Sequence, residues 1–96
     1  MKKHLKKGLE VLGVTYSVKR IGFEDCLYKD LGNGIDFEIS HVRSGYSVFV
    51  CQYKPYLRIL ESFPKERPAK LSELKSLMDE LEKKYADWRK EINECL

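Results

Sequence analysis

Apolar residues recur along this chain with a helical period at both ends and a period of two between them. In residues 2–12, KKHLKKGLEVL, Leu5, Leu9 and Leu12 stand at i, i+4 and i+7. That spacing makes one helical stripe, and Lys2, Lys3, Lys6 and Lys7 fall mostly off it. Gly8 weakens such a helix by about 1 kcal/mol relative to Ala, and Gly13 is a suitable stop. A short amphipathic helix is expected, one that persists only when packed.

From residue 14 to 63 the period drops to two. Val14, Tyr16 and Val18 alternate with Thr15, Ser17 and Lys19, and CLYKDL follows after GFED. GNG at 32–34 then separates two strand-like runs. Asn-Gly in that position predicts a hairpin with a type I′ turn, which needs φ > 0 at both central residues. Ile35, Phe37 and Ile39 face one way and Asp36, Glu38 and Ser40 the other, the pattern of a half-buried strand. A turn is expected around Arg43-Ser44-Gly45. YSVFVCQY is apolar on both faces and reads as a central strand. Lys54-Pro55 breaks it, because proline cannot donate to a ladder. YLRILESF is the last strand, although Glu61 shares a face with Leu57, Ile59 and Phe63. PKERPAK ends the sheet.

The third stretch returns to a helical period, of 3.5. Leu71, Leu74, Met78, Leu81, Tyr85, Trp88, Ile92 and Cys95 are spaced 3, 4, 3, 4, 3, 4, 3, the a/d repeat of a coiled-coil seam. Ser72 is the expected N-cap, with Glu73 favourably placed in the first turn. Asp79–Lys83, Glu80–Lys84 and Lys90–Glu94 are i,i+4 pairs. A helix over 71–96 spans about 37 Å, whereas strands of six to eight residues span roughly 20–26 Å. Its last turns, with Tyr85, Trp88 and Ile92, therefore overhang the sheet. Either Leu5, Leu9 and Leu12 cover that overhang, the helix crosses diagonally and frays, or another molecule covers it. A stripe of this kind is more often core than interface.

The order is helix, four or five strands joined by tight turns, then helix. Short connections imply an antiparallel meander, and two amphipathic helices must bury their stripes on one face of it. The expected fold is a two-layer α+β domain over residues 1–96, with the long C-terminal helix packed on one sheet face. Length fits one domain with a modest core, and 43% hydrophobic with 34% charged residues is an ordinary globular composition. No apolar run approaches the roughly 20 residues a bilayer span needs, and Lys6, Lys7, Gly8 and Glu10 interrupt any signal-peptide core. A cytoplasmic location without membrane contact is expected. Three cysteines, Cys26, Cys51 and Cys95, with no C-x-x-C, fit reduced thiols. Cys26 and Cys51 read as small core residues.

Charge is uneven. Residues 1–70 carry 13 basic and 8 acidic side chains, and residues 71–96 carry 5 and 7, giving +5 and −2. The basic part is compatible with nucleic acid.

The residues that could carry chemistry do not assemble into a motif. His41 could activate a nearby Cys26, but no third orienting group is indicated, and a strand-end histidine beside a core cysteine accounts for both. His and Cys lack zinc-ligand spacing, and GNG is not followed by a helix that would hold a phosphate. No metal, cofactor or catalytic residue is expected, and the chain resembles no family. GYSVFV lacks the register of an RNA-recognition strand, and the strand count and final helix differ from those of double-stranded RNA-binding domains. The sequence thus points to a non-enzymatic binding protein. The first expectation is a protein-interaction module, accessory, inhibitory or homodimeric, using Tyr85, Trp88 and Ile92. The alternative is nucleic-acid binding through Lys2, Lys3, Lys6 and Lys7, for which a solvated helix face is the plainer reading. An enzyme ranks third.

Overall fold

The computed structural model describes residues 2–43, 45–63 and 67–88. The chain runs α1 (Lys3–Leu12), β1 (Ser17–Ile21), β2 (Glu24–Asp30), β3 (Ile35–Val42), β4 (Gly45–Gln52), β5 (Arg58–Phe63) and α2 (Leu71–Tyr85). The five strands pair in sequence order, each antiparallel to its neighbour. This is the expected α+β meander, with the strand number settled at five.

The core follows from the alternation. Leu27 lies opposite Ile39, Ile39 opposite Val48, and Phe37 opposite Val50. These five are fully buried and pack with Leu5 and Leu12 of α1 and with Leu74, Met78, Leu81 and Tyr85 of α2. Each such side chain gains roughly 1.5–3 kcal/mol from leaving water. Gly8 is what lets α1 approach the sheet. A Cβ there would lie 2.7 Å from Leu27 Cδ1 and 3.2 Å from Tyr46 Cε1. The residue that weakens the isolated helix is the one that seats it.

Four local expectations are corrected. Val14 is fully exposed, because the chain turns at 14–15 after Gly13 and the first strand starts only at Ser17. The β2–β3 hairpin forms, but without a type I′ turn. Gly32 and Gly34 take positive φ while Asn33 does not, and Asn33 Nδ2 donates to the carbonyls of Tyr85 and Ala86 at the end of α2. The first residue of α2 is Leu71, so Lys70 rather than Ser72 is its N-cap, and the Glu73 carboxylate accepts the Lys70 N–H at 2.9 Å. Finally, a bulge shifts the register between Val50 and Cys51. It turns Ile59 to the far face opposite Cys51 and leaves Glu61 opposite Val50, on the helix side. There Glu61 accepts from Lys84 Nζ at 2.9 Å and from the Tyr85 hydroxyl. The polar residue that spoils the alternation is therefore paired.

Among the expected helix-face pairs, Lys84 goes to Glu61, and a different pair, Lys75–Asp79 at 2.7 Å, forms along α2. Residues of the Lys90–Glu94 pair lie outside those described. Leu74, Met78, Leu81 and Tyr85 of α2 are buried within this chain, where α1 packs alongside α2. No described helix is long and apolar enough to cross a membrane.

Candidate functional site

Both helices occupy one face of the sheet. Because side chains alternate along a strand, Lys19, Cys26, Tyr28, Asp30, Asp36, Glu38 and Cys51 project from the opposite face. That face is concave. A depression of about 630 Å³ runs from Lys19 and Ile21 on β1, across Tyr28, Asp36, Glu38 and Cys51, to Leu57 and to Arg58 and Ile59 of β5. Its rim is apolar and wet at one end: Leu57 is 81% exposed and Ile59 65%.

The floor is a network of acids and their donors. The Tyr28 hydroxyl donates to Asp36 Oδ2 at 2.8 Å, the Cys51 thiol to Glu38 Oε2 at 2.8 Å, and the Tyr53 hydroxyl to Asp30 Oδ1 at 2.5 Å. Lys19 Nζ lies 4.2 Å from the centre of the Tyr28 ring. One donor atom each from Asp36, Glu38 and Cys51 lie within 4.8 Å of one another. Asp36 Oδ1 is buried and has no hydrogen-bond partner among the described residues.

Burial raises the Asp36 carboxyl above its ordinary range, opposed by the Tyr28 hydrogen bond and reinforced by Glu38 and Asp30. Burial also raises the Cys51 thiol, reinforced by its hydrogen bond to Glu38 and by the charges of Glu38 and Asp36. With protein groups alone around it, Cys51 is a neutral donor and not a thiolate nucleophile. The Tyr28 phenol is raised as well, by burial and then by Asp36. The site favours added positive charge and resists added negative charge.

The residues singled out from sequence lie elsewhere. Tyr85 is buried, 4% exposed, and its ring lies 5.6 Å from that of Trp88. Trp88 is half-buried against the same core. Ile92 lies outside the described residues. Lys3, Lys6 and Lys7 on α1 and Lys2 at its N-cap are all exposed, and none forms an ion pair among the described residues. His41 and Cys26 are on opposite faces: His41 pairs with Tyr46 and stacks on His4 of α1, whereas Cys26 Sγ lies 3.6 Å from Ser40 Oγ. They cannot form a nucleophile pair.

The sequence places Asp36 and Glu38 on the polar face of a half-buried strand and Cys51 among small buried residues, and Cys51 is indeed buried, but it does not bring the three together. The missed signal is register. Asp36 pairs directly with Cys51, and Glu38 with Phe49, so residues 15 positions apart share one patch. No protein-family model matches the chain, and no curated protein or solved structure is similar to it.

Proposed function

We propose that this is a non-enzymatic protein-interaction domain whose docking surface is the open sheet face, and that its partner there is a second copy of the chain. The observation that carries this reading is the exposed apolar pair Leu57 and Ile59 at the edge of the concavity. Large apolar side chains in a cluster mark contact surfaces more than scattered ones do. The same face presents both signs of charge, Lys19 and Arg58 against Asp30, so it can complement itself about a two-fold axis. Five strands of about seven residues offer a footprint of roughly 500 Å². Once corrugation is counted, that is of the order of the 800 Å² per partner of a stable interface.

Tyr85 gives the alternative docking point, the end of α2, little support, because it is already buried within its own chain. The oligomeric state of a Leu57→Ser, Ile59→Ser variant against the wild type tests the proposal.

A second reading rests on α1. Three exposed lysines and the exposed N-cap Lys2 crowd the N-terminal half of this helix, with no acidic residue in its first turn. Cations at that end oppose the helix dipole, so the arrangement suits an anionic partner better than it suits the helix. Under this reading, single- or double-stranded nucleic acid binds with an affinity that falls steeply with salt. Replacing Lys2, Lys3, Lys6 and Lys7 by Ala abolishes that binding. Retention of the wild-type salt slope by the variant would end this reading.

A further inference from the structure

The floor of the open face holds a set of donors that the dimer reading does not use. Asp36 and Cys51 are direct partners across β3 and β4, and Glu38 stands two residues along the same face. Each offers one ligand atom, all within 4.8 Å. The Tyr28 hydroxyl occupies Asp36 Oδ2. The other oxygen, Oδ1, is out of contact with solvent and has no hydrogen-bond partner among the described residues. A buried carboxylate oxygen is ordinarily satisfied by a donor or a cation. All three ligands sit on the adjacent inner strands β3 and β4 and not on loops, which is where a preorganised site belongs.

We propose that Asp36, Glu38 and Cys51 form a binding site for a thiophilic divalent metal ion of the zinc class. Two carboxylates and one thiol suit zinc or cadmium, which accept sulfur and oxygen in a tetrahedral set. Calcium and magnesium demand about six oxygens, more than these side chains supply. Bond lengths of about 2.0–2.3 Å place tetrahedral ligands roughly 3.5 Å apart. The cluster therefore contracts by about 1 Å at its widest, while the 2.8 Å Cys51–Glu38 pair opens slightly. On binding, the Cys51 S–H bond breaks, its proton leaves to solvent, and the sulfur electron pair forms the metal–sulfur bond. Tyr28 keeps its hydrogen bond to Asp36 Oδ2. Three protein ligands leave a fourth position open to the concavity.

Cadmium(II) titration of the full chain, kept reduced with a phosphine, tests the site through the ultraviolet thiolate-to-cadmium charge-transfer band. The expected result is a band that saturates at one equivalent, is displaced by zinc, and is accompanied by release of about one proton per ion. Cys51→Ser loses the band, and Asp36→Asn and Glu38→Gln each weaken binding by about tenfold or more. Absence of a band overturns the proposal, as does a full band in Cys51→Ser, which would place the metal on another thiol. Should Cys51→Ser fail to fold by circular dichroism, Glu38→Gln decides, and unchanged cadmium affinity there overturns the site. Ile59 lies opposite Cys51 on the same face, so the cadmium band of Leu57→Ser, Ile59→Ser is read beside its oligomeric state, and a band kept in a monomeric variant separates the metal site from the dimer.

Discussion

The imidazoles of His4 and His41 are stacked, with ring centroids 4.0 Å apart and planes 2° from parallel. They join α1 to β3. Tyr46 closes the same contact, with its ring edge-on to His41 at 5.4 Å and its hydroxyl donating to the His4 carbonyl at 2.6 Å. Burial, then the neighbouring His4 and Lys2, hold the His41 imidazole below its ordinary value. Its protonation is thus easier in the unfolded chain than in the folded one. Stability is complete above the unfolded value near 6.5 and falls as pH drops through it toward the lower folded value. Thermal melts between about pH 7.5 and pH 5 should show a falling midpoint. His41→Phe should shallow that fall. An identical slope in the variant would remove His41 as the cause.

Gly8→Ala tests the seating of α1. Helix propensity alone predicts a gain of about 1 kcal/mol. The Leu27 and Tyr46 contacts at 2.7 and 3.2 Å predict a larger loss, since overpacking a filled core costs about 1–3 kcal/mol. Chemical denaturation should give a net loss of roughly 1 kcal/mol. Gly45→Ala should lose more, because its Cβ would meet the Ala69 carbonyl oxygen at 2.7 Å. That oxygen is backbone held by the Tyr46 N–H, so it cannot rotate away.

Asn33 fastens the β2–β3 turn to the end of α2. Its amide donates to the Tyr85 carbonyl at 2.8 Å and to the Ala86 carbonyl at 3.3 Å, and its Oδ1 accepts the Ile35 N–H at 3.3 Å. Asn33→Ala should cost about 1–2 kcal/mol, the net worth of the hydrogen bonds lost. Asn33→Asp should cost at least as much, since a carboxylate cannot donate to carbonyls. Urea midpoints of the three proteins decide between this role and a turn-only role, for which Asp would serve as well as Asn.

These contacts show what the sequence could and could not disclose. Phe37, Ile39, Leu74 and Met78 were legible because burial on one face writes itself as a period of two or of 3.5. The docking of α1 was legible through Leu5 and Leu12. The β-bulge at β5 was not, because it inserts one residue and reverses every assignment before it, so Leu57 and Ile59 read as core and Glu61 as an intruder. The acid–thiol cluster was hidden for a related reason. Asp36, Glu38 and Cys51 belong to two strands whose register is set by the intervening hairpin, and no linear spacing encodes it. Asn33 looked like a turn residue, and its second use depends on where α2 ends in space.

The acid cluster also sets the reactivity of Cys51. Burial and Glu38 keep the Cys51 thiol protonated, so mild alkylating reagents should modify it slowly in the folded chain. Glu38→Gln removes one of the charges that raise it and should speed the reaction severalfold. Equal rates, read by mass spectrometry of the Cys51 peptide, would show that burial alone protects the thiol.

Sedimentation velocity at tens of micromolar tests the central claim most directly. The wild-type chain should sediment as a dimer. The Leu57→Ser, Ile59→Ser variant should sediment as a monomer with unchanged circular dichroism, and Trp88→Ala should remain a dimer. A monomeric wild type, or a dimer that survives Leu57→Ser, Ile59→Ser, would contradict the assignment of the open sheet face as the self-docking surface.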